Sequence, residues 1–244
     1  ALLTMGNGLA GTLVSVRASA EGFAPAVTGA VMAAYFAGFV AGSFALPALV
    51  RRVGHIRTFA AMISLASIAA LAYALWVEPL FWTLLRFAHG ACLAGGIMVI
   101  ESWLNAIATR ATRGRILALH GIVIFAAWAA SQLWLTAAPV EGFVLFVVVS
   151  MLKSAAMLPL LLTDVRAPVV AAATRAPLLK LVQTSPLAVV ACFAVGFVTG
   201  ATLSLGPVYA AEIGLDQAGV SLFMAALLVG AMVLEWPLGA GSDR

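Results

Sequence analysis

Residues 186–208 read PLAVVACFAVGFVTGATLSLGPV, a run without one charged side chain. About 20 apolar residues in a helix, at a rise of 1.5 Å each, are enough to cross the hydrocarbon of a bilayer. A second run follows at 217–238, and earlier ones cover 1–17, 27–50, 58–77, 80–104, 116–137 and 142–163. The runs are long and continuously apolar and lack the roughly ten-residue alternation of outer-membrane strands, so they predict eight spanning helices and no barrel. Glycine and proline recur inside them, which neighbouring helices tolerate in a membrane. The composition agrees: 64% of residues are hydrophobic and 9% charged, against about 25% charged in soluble domains. With a mean hydropathy of +1.12, the solvent of this chain is lipid.

The connections between runs fall into two classes. One set holds Arg51, Arg52 and Arg57, then Arg110, Arg113 and Arg115, then Arg166, Arg175 and Lys180, and last Arg244. The alternate set holds Glu21, Glu78, Glu141, Glu212 and Asp216, with Arg17 as its one basic residue. By the positive-inside rule the basic loops are cytoplasmic, and both ends of the chain with them. The pI near 9.6 therefore reports topology and not nucleic-acid binding. Trp76, Trp82, Trp134 and Tyr209 fall near the acidic helix ends, where an interfacial aromatic belt is expected. Cys92 and Cys192 lie inside apolar runs and read as small buried hydrophobes. No CxxC, HExxH, GxSxG, P-loop or dinucleotide fingerprint occurs, so neither a metal nor a cofactor is expected. The chain begins, already apolar, at Ala1, and 1–17 reads as a span that has lost its start.

An internal repeat organises the runs. At an offset of 192 residues, Met224-Ala-Ala falls on Met32-Ala-Ala, Gly230 on Gly38, Gly214 on Gly22, Gly200 on Gly8 and Arg244 on Arg52. The last two spans restate the first two, as in the parallel duplication of six-helix halves in many secondary transporters. The expected organisation is an all-α membrane protein: a six-helix bundle over 1–163, a cytoplasmic linker over 164–184, and over 185–244 the first two helices of a second, pseudo-symmetric bundle.

These features, with three motifs, resemble the major facilitator superfamily. Its loop signature G-x-x-x-D-R-x-G-R-[KR] is matched in its first part by Gly239-Ala-Gly-Ser-Asp243-Arg244, where the chain stops. Its second part is matched by Arg52-Val-Gly54-His55-Ile-Arg57, although Pro47 stands for the first Gly and Arg51 for the Asp. The fourth span carries Arg86-Phe-Ala-His-Gly90, similar to that helix's R-x-x-x-G. Two longer runs narrow the resemblance to the YcaD-like branch of bacterial transporters. They are Glu101-Ser-Trp-Leu-Asn105 with Arg113-Gly114-Arg115 and Ser131-Gln132, and Gly206-Pro-Val-Tyr209 with Glu235-Trp-Pro237-Leu-Gly239. The resemblance implies twelve spans in a complete member, of which this chain holds eight, and a piece of this size is expected not to transport by itself.

Charges within spans need a reason, since each costs at least about 2.5–3.5 kcal/mol at the helix centre. Arg86 either snorkels to the headgroups or faces a cavity and meets an anionic group. His89, one turn on, suits proton handling or is a packed, hydrogen-bonded ring. Lys153, near the middle of its span, must face a cavity, find an acidic partner or stay uncharged. Gln132 is either a cross-helix hydrogen bond or a substrate contact. Thr4, Asn7, Gly11 and Ser15 share one face of the first span. The resemblance implies that the first, fourth and seventh spans line a central cavity, which favours Asn7, Arg86 and His89, and with Gln132 and Lys153, taken for their polar groups within the fifth and sixth spans, these make the candidate substrate site. It also implies an inner gate, in which Glu101 pairs with Arg52, Arg57 or Arg113. Gly54, Glu235, Gly239, Asp243 and Arg244 complete the loop and gate set, and Glu235 has proton coupling as its other reading.

The function expected is secondary active transport of a small solute by alternating access, coupled to protons. The chain is expected to be a monomer in the bacterial inner membrane. A membrane-embedded enzyme would need acids or histidines clustered at one depth, and His55, His89 and His120 are far apart in sequence. A non-transporting sensor or scaffold on the same fold is the other reading, favoured slightly by Arg51 in place of the Asp.

Overall fold

The computed structural model describes residues 1–109, 112–162 and 182–242, with side chains through 234 in the last segment. Eight long helices account for nearly all of them: α1 (Leu2–Ala20), α2 (Pro25–Val53), α3 (His55–Leu75), α4 (Pro79–Ile107), α5 (Arg113–Leu133), α6 (Val144–Leu161), α7 (Pro186–Glu212) and α8 (Gln217–Ser242). A 3₁₀ turn (Trp134–Ala137) extends α5. No strand occurs among the described residues. The 164–184 linker expected from the sequence lies outside the described residues, except for 182–184.

The helix ends follow local chemistry. Pro25, Pro79 and Pro186 open α2, α4 and α7, where the missing N–H is no loss. Glu78 caps α4 by accepting from the backbone N–H groups of Leu80 and Phe81, at 3.0 and 2.7 Å. The turn from α2 to α3 is a single residue, Gly54, at φ 87° and ψ 166°, a region open essentially to glycine alone.

The repeat reappears in the hydrogen bonds. At the end of α1, the N–H groups of Glu21, Gly22 and Phe23 donate to the carbonyls of Arg17, Ser19 and Ala18. At the end of α7, those of Ile213, Gly214 and Leu215 donate to Tyr209, Ala211 and Ala210. Each of these six residues and its acceptor matches its counterpart at the same offset of 192, and Gly22 and Gly214 share positive φ, 77° and 90°. α8 likewise starts at Gln217 where α2 starts at Pro25.

Seven of the helices are long and apolar enough to cross a membrane. α1 is the exception, because Thr4, Asn7, Thr12, Ser15 and Arg17 lower its hydropathy. It needs no lipid face: it sits in the middle, packed on α5, α6 and α7, and ten of its residues from Gly6 to Ala18 are buried. Around it α2 lies along α4, α3 packs on α4 and α6, and α5 packs on α8. Large apolar side chains such as Phe44, Leu65, Ile68, Leu84 and Met151 point outward, as lipid-facing residues do.

Two apolar cores lie at opposite ends. The core near the acidic loops includes Leu13, Val16, Tyr73, Trp82, Leu135 and Phe146, and it takes in Ala210 of α7 and Val220 of α8. The core near the basic loops joins Leu3, Val50, Phe59, Ile63, Leu93 and Val99, and among the described residues contains nothing from α7 or α8. Two aromatic and thiol expectations are corrected here. Trp82 is not in the interfacial belt: it is 0% exposed, set between Phe23 and Tyr73 with ring centroids 5.4 and 5.6 Å away. Its indole N–H donates to the carbonyl of Trp76 at 3.0 Å, so no water is needed at its polar edge. Cys92 is buried but Cys192 is exposed, because the half of α7 near the basic loops touches little.

Candidate functional site: a cavity with a buried cation

A cavity of about 220 Å³ lies between α1, α2, α4, α5, α7 and α8. Asn7, Gly11 and Thr12 come from α1, and Tyr35, Phe36 and Phe39 from α2. Arg86 comes from α4, Trp128 from α5, Thr199 and Ser204 from α7, and Met224 from α8. A second cavity of about 160 Å³ shares Asn7, Tyr35 and Trp128 with the first and runs to Glu101 and His120 near the basic loops. The three shared residues form the collar between the two chambers, where the Asn7 amide donates to the Tyr35 hydroxyl at 3.4 Å.

The opposite exit is shut. Ser15 donates to the carbonyl of Ser204 at 2.7 Å, and Ser221 to that of Gln132 at 2.5 Å. Gln217 donates to the carbonyls of Leu135 and Ala138. Arg17 holds Glu21 at 2.5 Å and donates to the carbonyl of Val140 at 2.9 Å. The Tyr73–Trp82–Phe146 cluster fills the space beneath the latch.

Arg86 is 3% exposed. Its guanidinium carbon lies 4.9 Å from the centre of the Tyr35 ring, a cation–π contact. Its Nε is buried with no hydrogen-bond partner. Among the described residues the one ion pair is Arg17–Glu21, so no carboxylate answers Arg86. One turn along α4, His89 meets Lys153 of α6. The Lys153 Nζ is hydrogen-bonded to His89 Nε2 and donates, at 3.4 Å, to the carbonyl of Ala66. The other ring nitrogen, His89 Nδ1, is buried with no partner. Both side chains are 0% exposed.

Of the five candidate substrate residues, Asn7 and Arg86 line the cavity. His89 and Lys153 lie behind Tyr35, whose ring meets His89 edge-on at 6.0 Å. Gln132 faces α1: it accepts from Thr12 at 2.8 Å and donates to Ser131 at 3.1 Å. In the gate set, Arg52, Arg57, Glu101 and Arg113 are exposed near the basic loops and form no ion pair among the described residues. Gly54 makes the α2–α3 turn. Glu235 and Gly239 lie within α8, but their side-chain surroundings, and Asp243 and Arg244 altogether, fall outside what is described.

Sequence reasoning missed Tyr35 and Trp128, the residues common to both chambers. Each carried a signal: an aromatic with a polar edge in mid-span, away from the interface where such residues collect.

A polytopic helical membrane protein with a buried, one-sided cavity is the class that fold and site define. The chain belongs to the major facilitator superfamily, whose sequence profile matches residues 1–244. It is 30% identical over 248 residues to the uncharacterized MFS-type transporter YcaD of Escherichia coli (strain K12 / DH10B). It is 28% identical over 246 residues to the uncharacterized MFS-type transporter Ent638_1421 of Enterobacter sp. (strain 638). Both alignments cover 100% of this chain and 64% of the relative.

Proposed function

We propose that this protein is a secondary active transporter that moves a small solute by alternating access, coupled to protons. In this reading it is a monomer in the bacterial inner membrane with its basic loops and both chain ends cytoplasmic. Residues 1–163 form one bundle, 164–184 link it to the next, and 185–244 open the second. The observation that carries the reading is the one-sided cavity: latched toward the acidic loops and continuous, through the Asn7–Tyr35–Trp128 collar, with a chamber ending at Glu101. The arrangement corresponds to an inward-facing state. In the outward-facing state Glu101 pairs with Arg52, Arg57 or Arg113, while Glu235 and the Gly239–Asp243–Arg244 motif serve the second half of the gate. The Lys153–His89 pair holds the coupling proton, since one hydrogen bond joins two groups that can each carry it. The transporter name borne by the relatives points the same way.

Flux assays on vesicles containing the native full-length protein test this. Uptake or efflux of one solute class is expected, abolished by a protonophore and strongly reduced by Arg86→Ala and Glu101→Gln. Undiminished flux in both variants would remove the site assignment. No flux of any solute would favour the sensor or scaffold reading.

A further inference from the structure

From the chemistry of the cavity wall we infer that its solute is a small amphipathic organic anion, a carboxylate seated on Arg86 with an apolar body beyond it. The inference deepens the transport reading and rests on it only for the movement of the solute.

The first argument is charge. Arg86 places a guanidinium in a buried position on the cavity wall, and no described carboxylate balances it. Glu78 is engaged as the cap of α4, and Glu21 is held by Arg17. Glu101 lies about 22 Å further along α4, and Glu235 about 16 Å beyond Met224 along α8. An uncompensated guanidinium in a membrane interior is costly. Here it borders the cavity with no carboxylate partner among the described residues, so a bound anion supplies the missing counter-charge. A guanidinium also matches a carboxylate with paired N–H donors.

The second argument is the wall opposite. Phe36, Phe39, Trp128, Leu203 and Met224 give it an apolar surface, unsuited to a sugar or a polyanion. Thr199 and Ser204 add a few hydroxyls. A monoanion with an aliphatic or aromatic body fits this lining.

Equilibrium dialysis on the purified full-length protein tests the inference. The probes are phenylacetate, benzoate and hexanoate, with phenylacetamide and phenethylammonium as neutral and cationic counterparts. Phenylacetate is expected to bind about tenfold or more tightly than its amide, and the ammonium without saturation. Arg86→Gln should erase the preference and Arg86→Lys should keep part of it. Amide or ammonium binding as tight as the acid, no binding by any of the three carboxylates, or a preference that survives Arg86→Gln would overturn the inference. If Arg86→Gln does not fold, the ranking of acid, amide and ammonium in the unmodified protein still decides. Carboxylate preference without flux sinks transport and leaves the anion site; flux of a neutral or cationic solute without carboxylate binding does the reverse.

Discussion

At the scale of single residues, the polar groups of this bundle differ in what their loss should do. His89 is the hydrogen-bond partner of the fully buried Lys153 amine. His89→Ala leaves Lys153 without it, at a cost of about 1–3 kcal/mol. The double variant His89→Leu with Lys153→Met removes both polar groups and should be closer to wild type than His89→Ala is. Denaturant unfolding of wild type, His89→Ala and the double variant checks this, and a double variant as unstable as His89→Ala would count against the pairing. Flux in Lys153→Met should persist but lose its response to a protonophore. Thr12→Val keeps shape and strips the hydrogen bond to Gln132, with an expected loss of about 0.6–1.7 kcal/mol in the same assay. Arg86 and Lys153 were legible in the sequence as charges in need of a reason, but the reason was not: partners far apart in the chain leave no local pattern. Lys153 meets an imidazole, where a cavity, an acid or an uncharged amine was the expectation.

At the scale of elements, the α2–α4 pair is held by glycine. A Cβ on Gly38 would strike the carbonyl of Phe87, and one on Gly90 the carbonyl of Tyr35. These are backbone atoms that no rotamer change can move. Gly38→Val or Gly90→Ala must push the helices apart, at an expected cost of about 1–3 kcal/mol or more. Gly196→Ala, with nothing within 4 Å of the new methyl, should be silent. Yield and thermal stability in detergent would compare the three, and equal stability would refute the close packing. All eight helices were readable from hydropathy, most ends within a few residues, and the glycine register of the repeat survives as matched hydrogen bonds at the ends of α1 and α7. What hydropathy could not give was the centre of the bundle. α1 is the least apolar helix yet the one most enclosed, and Trp82 left the expected belt because burial against Phe23 and Tyr73 served it better than an interface.

At the scale of the whole molecule, a second cavity lies beside the first on the side of the basic loops, sharing Asn7, Tyr35 and Trp128 with it. A membrane-impermeant maleimide should therefore label Thr4→Cys, which lines the lower chamber, from the side of the basic loops, in a Cys192→Ser background that removes the exposed native thiol. Labelling from the acidic side alone would reverse the orientation and the state together. The sequence sorted the loops by charge but could not say whether Glu101 and its arginines touch, since a loop arginine that sets topology looks the same as one that closes a gate. The latch at the acidic end has a further property. Its donors, Ser15, Arg17, Gln217 and Ser221, all reach main-chain oxygens, and all but Arg17 join residues of α1 or α5 and its 3₁₀ extension to residues of α7 or α8. Such a grip is indifferent to the side chain carried by the acceptor residue. The side chains of Leu135, Ala138 and Val140 answer to the core and not to the latch donors, so substitutions on its two sides need not be correlated, and covariation among homologous sequences will be nearly blind to the contact that closes this end of the protein.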